Sequence, residues 1–113
     1  MAFLFSGFGV YSLGYDLGKF NGDISRWDVS NVKNMAHMFH YGSFNQHIRD
    51  WDVSNVTTME CMFNGARSFN QPIGDWDVSN VKSMSHMFDA AESFNQPIGD
   101  WDVSNVKYMP CMF

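Results

Sequence analysis

FNQPIGDWDVSNVK stands at Phe69–Lys82 and again, unchanged, at Phe94–Lys107. Two near copies precede it, FNGDISRWDVSNVK at Phe20–Lys33 and FNQHIRDWDVSNVT at Phe44–Thr57. The tryptophans Trp27, Trp51, Trp76 and Trp101 are therefore spaced by 24, 25 and 25 residues. A fixed period in this range signals an array in which each unit buries its apolar face against its neighbours.

Counting each copy from its Trp as zero, Ile falls at −3 (Ile24, Ile48, Ile73, Ile98) and Val at +2 and +5. Met follows at +8 (Met35, Met59, Met84, Met109) and at +11, with Phe at +12 and −7. Trp and Val at 0 and +2 alternate with Asp, the pattern of a short strand with one buried face. Val, Met, Met and Phe at +5, +8, +11 and +12 share a helical stripe. Ser at +3 suits a helix N-cap, with Asn at +4 as the alternative. Each unit thus predicts strand, turn, short helix, turn, with parallel strands about 4.8 Å apart between units.

Four tandem copies follow, 20–43, 44–68, 69–93 and a truncated 94–113. Residues 1–19 read either as part of a preceding repeat or as an N-terminal cap. In the first reading Met1, Leu4 and Phe5 hold the +8, +11 and +12 places and Gly7–Lys19 is a loop insertion. Both ends are raw repeat segments rather than polar caps, so a piece of a longer array is expected.

The composition fits a packed core: 45% hydrophobic residues, with eleven Phe, nine Met and four Trp. Net charge is −5 and no basic patch forms, so the electrostatic footprint of a nucleic-acid binder is missing. No run of 18 apolar residues predicts a spanning helix.

The string FNQPIGDWDVSNVxxMxxMF, covering Phe20–Phe113, resembles the repeats of unknown function in mycoplasma surface lipoproteins. It is also similar to BspA-like leucine-rich repeat proteins of bacterial and protist surfaces. I-x-x-W-x-V-x-N is close to the leucine-rich pattern, with its Asn one place early. The resemblance implies an LRR-like α/β solenoid, right-handed, extracellular or at a cell surface, with adhesion or protein binding as its use. It implies no catalytic residue. A recognisable lipobox or signal is missing, which leaves an intracellular or organellar assembly as the alternative location.

In a repeat array every position becomes a column. Asp50, Asp75 and Asp100 at −1, and Asp28, Asp52, Asp77 and Asp102 at +1, are expected to point outward as Trp and Val point inward. Like charges one strand apart repel. Water and bonds to neighbouring backbone, a basic protein partner, or Ca²⁺ bridging the columns are the three ways to relieve that. The +10 column alternates His37, Cys61, His86 and Cys111, types that ligate zinc, but without the C-x₂₋₄-C spacing of a zinc site. Cys61 and Cys111 are two units apart, about 10 Å and beyond disulfide reach. Asn45, Asn70 and Asn95, each followed by Gln, are expected to bond turn backbone along the stack. The Trp and Met columns (Trp27, Trp51, Trp76, Trp101 and Met35, Met59, Met84, Met109) read as core. No phosphate-loop, zinc-protease or nucleophile-elbow motif is present.

The reading is a non-catalytic repeat module for protein–protein binding or adhesion. Its expected face is Asp50, Asp75, Asp100, Asp52, Asp77 and Asp102, with His47 and Arg49 at one end. No cofactor is expected. The alternative is a structural subunit docking inside a larger multi-protein assembly.

Overall fold

The computed structural model describes residues 21–113. The expectations for 1–19, whether cap or partial repeat, lie outside the described residues. Within them, neighbouring copies are joined by parallel bridges at +7, linking Asn34 to Thr58, Thr58 to Ser83 and Ser83 to Tyr108. One more bridge, at +15, links Gly42 to Ala66.

The bridges belong to a longer set of backbone bonds with one register. The N–H groups at +8, +10, +12 and +14 donate to the carbonyls at +7, +9, +11 and +13 of the next copy. For the second copy these are Met59 to Ser83 (3.0 Å), Cys61 to Ser85 (2.9 Å), Phe63 to Met87 (2.9 Å) and Gly65 to Asp89 (2.8 Å). The same pattern runs from Met35, His37, Phe39 and Tyr41 to the second copy, and from Met84, His86 and Phe88 to the fourth. At +6 the direction reverses: Thr57, Lys82 and Lys107 donate back to the preceding copy at 2.8 Å.

This arrangement corrects the short helix expected from +5 to +12. No described residue is helical. A helix would send every N–H four residues back along its own segment. Here alternate N–H groups leave for the next copy, and those between fold back three residues, as in Met62 to Met59 (3.2 Å) and Asn64 to Cys61 (3.2 Å). The segment is a run of successive tight turns. In the turn that starts at +8 the third residue, +10, is left-handed, as in a type II turn: His37, Cys61, His86 and Cys111 have φ of 61°, 54°, 56° and 51°. Nothing in the structure explains why His and Cys stand there instead of Gly or Asn. The Met, Met, Phe stripe still faces inward, because turns stepping by three residues return side chains to one side as a helix would.

The expected strand at Trp–Asp–Val is also corrected. Its backbone makes only local turn bonds, Trp76 N–H to the Ile73 carbonyl (3.1 Å) and Val81 N–H to the Val78 carbonyl (3.0 Å), repeated in every copy. Neighbouring copies are tied there by side chains. The indole N–H groups of Trp51, Trp76 and Trp101 donate to Ile24, Ile48 and Ile73 carbonyls of the copy before, at 3.0–3.1 Å. The Asn55, Asn80 and Asn105 amides donate to Ser30, Ser54 and Ser79 carbonyls at 2.7 Å.

Inside these ties lies one apolar core. Met35, Met59 and Met84 are fully buried, and Trp51, Trp76 and Trp101 are buried. Trp27 is half-buried and packs against the same core. Two phenylalanine columns interleave: Phe39, Phe63, Phe88 and Phe113 stack at 5.5–5.6 Å between centroids, and Phe44, Phe69 and Phe94 at 6.0–6.2 Å. Where one copy passes into the next the columns meet at 4.1–4.3 Å, as Phe63 on Phe69 and Phe88 on Phe94. Met109 departs from its column, being 41% exposed. It sits in the fourth copy, where no described segment lies on the far side.

Candidate functional site

The side chains at −1 and +1 are solvent-facing throughout: Asp50, Asp52, Asp75, Asp77, Asp100, Asp102, His47 and Arg49 are all exposed. The two aspartate columns differ in what they do with their oxygens.

At +1 each carboxylate is engaged by its own copy. Asp77 Oδ1 accepts the Ser79 N–H at 3.0 Å and the Ser79 hydroxyl at 2.6 Å. Asp28 and Asp52 hold Ser30 and Ser54 in the same way, and Asp102 accepts the Ser104 N–H at 3.0 Å. These are side-chain-closed turns, and they give Ser at +3 a role other than the predicted helix cap. The hydroxyl first and the N–H second hold the Asp28, Asp77 and Asp102 carboxyls below the usual carboxylate range; around Asp77 the charge of Asp102 acts weakly the other way. Asp23 is lowered similarly by Ser25.

At −1 the carboxylates reach outward. Arg49 of the second copy donates to Asp75 of the third at 2.8 Å, and His47 lies 3.5 Å from Asp50. Both pairs are more than a third exposed, so water screens them. Asp75 and Asp100 edge a shallow cleft with Gly74, Pro97 and Gly99. A second cleft alongside it is lined by Arg49, Pro72, Gly74, Asp75 and Pro97.

The asparagine column at −6 forms a ladder. The N–H groups of Asn45, Asn70 and Asn95 donate to the Oδ1 of Asn21, Asn45 and Asn70, each at 2.9 Å. The following Gln46, Gln71 and Gln96 amides reach the same oxygens at 3.1–3.2 Å. These polar side chains are spent on joining copies. Cys61 and Cys111 are free thiols. No group of three or more His, Cys, Asp or Glu converges as a metal site among the described residues. No helix of the described residues is long and apolar enough to cross a membrane.

One feature was not anticipated from the columns. Around +14 to +17 the copies diverge, and a cleft of about 410 Å³ opens between the first and second, lined by Tyr41, Gly42, Ser43, Gly65, Arg67 and Ser68. The signal available in the sequence was the loss of repetition: +14 reads Tyr41, Gly65, Ala90 and +16 reads Ser43, Arg67, Glu92.

No curated protein and no solved structure matches the chain. Residues 9–113 match the model of a family described as "Mycoplasma protein of unknown function, DUF285". With the whole repeat region, residues 20–113, inside that match, the chain belongs to this family of mycoplasma proteins of unknown function.

Proposed function

We propose that the chain is a non-catalytic, LRR-like solenoid module, comparable to BspA-like surface repeats, that displays an acidic column to a basic protein partner. The supporting observation is the contrast between the aspartate columns. The +1 carboxylates are tied to serines of their own copy, whereas Asp50, Asp75 and Asp100 recur outward, Asp75 and Asp100 beside Pro- and Gly-lined clefts and Asp75 already meeting one cation, Arg49. Rigid spacing of like charges favours a partner with matching positive spacing, and gives rate and specificity more than raw affinity. Catalysis fits poorly, because acid–base pairs need two carboxylates in different environments and a repeated column offers the same one each time. Extracellular or cell-surface adhesion is the use that accords with the resemblance.

The test is a titration with a lysine-rich peptide, comparing two double variants of equal net charge. Asp75→Asn with Asp100→Asn removes the outward column; Asp52→Asn with Asp77→Asn removes the tied one. Weaker binding confined to the first supports the reading. Equal weakening would reduce it to bulk charge.

A further inference from the structure

We propose that the cleft between Tyr41 and Arg67 is a binding site for an acidic sugar, a pyranose ring carrying a carboxylate. It is separate from the acidic column and does not depend on that reading.

Tyr41 is the first observation. It is 57% exposed and sits at φ 50°, in the left-handed region. That conformation costs a residue with a Cβ about 1 kcal/mol, and the next copy has glycine at the equivalent position, Gly65 at φ 67°. Ala90 of the third copy is left-handed too, at φ 57°, so the repeat sets the backbone; what is particular to the first copy is a large aromatic, left more than half in water, where the others carry Gly and Ala. The second observation is how the ring is seated. A Cβ on Gly65 would lie 2.5 Å and 2.7 Å from two carbons of the Tyr41 ring, so the missing side chain of the second copy is what admits the ring of the first. The third is Arg67. It is exposed and has no ion pair among the described residues, while Arg49 is paired with Asp75. Its N–H is anchored on the Gly42 carbonyl at 3.2 Å, which fixes its backbone to the cleft's opposite wall.

The lining selects the ligand class. One aromatic ring, one guanidinium, the Ser43 and Ser68 hydroxyls and glycine backbone make up the walls. An aliphatic side chain would find a single apolar surface and several polar groups left without partners. A polyhydroxylated ring satisfies both: its C–H face lies on tyrosine, its hydroxyls reach the serines and backbone, and its carboxylate meets the planar fork of arginine. The volume, about 410 Å³, lies within the range of small-molecule sites.

The experiment is an NMR titration of the full chain with glucuronic acid, glucose and inorganic sulfate. Saturable binding of glucuronic acid, with shifts centred on Tyr41, Gly65 and Arg67, is expected. Arg67→Gln and Tyr41→Ala are each expected to weaken it at least tenfold with the spectrum otherwise unchanged, and Arg67→Lys to restore part of it. No saturable glucuronic acid binding, or equal binding by Arg67→Gln, overturns the proposal. Sulfate binding as tightly as glucuronic acid would reduce the cleft to an anion site and overturn the sugar assignment. Glucose binding as tightly would remove the role given to Arg67.

Discussion

The two arcs of each repeat hold their neighbours by different chemistry. From +6 to +14 the copies are joined by backbone N–H and carbonyl groups, which every residue but proline carries. From −7 to +5 the joining groups are side chains: the Trp indole, the Asn amides at +4, the Asn–Gln ladder. The sequence bears the mark of this division. WDVSNV is unchanged in all four copies, while the other arc reads NMAHMFHYG, TMECMFNGA, SMSHMFDAA and YMPCMF. Where backbone does the joining, side chains that face outward are free to vary. Pro110 occupies +9 in the fourth copy, a position whose N–H does not bond a neighbouring copy. Divergence can then be used for something else, and the Tyr41–Arg67 cleft opens where that freer arc ends, at +14 to +17.

The sharpest way to break the comparison is Trp76→Ala. It removes a buried indole and its bond to the Ile48 carbonyl, so a loss of about 3–5 kcal/mol in urea unfolding is expected. A loss under 1 kcal/mol would mean that the side-chain arc does not carry its copy. Cys61→Pro attacks the backbone arc. Proline cannot adopt φ 54° and cannot donate to the Ser85 carbonyl, so a loss of about 3 kcal/mol is expected. Wild-type stability for that variant would refute the turn register. Asn80→Ala leaves the Ser54 carbonyl without its amide; near the surface this is worth about 1 kcal/mol, read as a shift in the same denaturation midpoint.

The smallest effect concerns acid. The folded-state carboxyls of Asp28, Asp77 and Asp102 lie below their unfolded value, so their turns contribute stability above about pH 4, the ordinary range of aspartate. Folding then binds fewer protons than unfolding, and that contribution fades as pH falls through the folded-state values. Thermal melts from pH 6 to pH 2 should show a shallow decline, shallower still when Ser79 is replaced by Ala. An unchanged slope for Ser79→Ala would remove the Asp77–Ser79 contact from the account.

Which residues turn inward was legible in the sequence. Ile73, Trp76, Val78, Val81, Met84 and Phe88 are all buried, and the period alone selects them. The Asp column's partner was partly legible too, since Asp-x-Ser is a side-chain-closed turn signal; its position before an apolar stripe made it read as a helix cap. The helix itself was a misreading with a physical cause. Apolar residues at +8, +11 and +12 suit a helix and equally suit successive three-residue turns. The residue that decides between them, at +10, is His or Cys; only His is enriched in the left-handed region, and its alternation with Cys hides that signal.

The sequence by itself determined the unit, its length, the inward and outward columns, and the equivalence of the copies, because periodic burial leaves a periodic record in side-chain polarity. Only the tertiary structure decided where each N–H goes. Hydrogen-bond direction is a property of the backbone, and it depends on a neighbouring copy whose carbonyls lie within 3 Å of the Cys61, Phe63 and Gly65 amides. The same holds for the cleft. Tyr41, Gly65 and Arg67 are up to 26 positions apart, and only the close approach of two copies puts a ring over a glycine and beside a guanidinium.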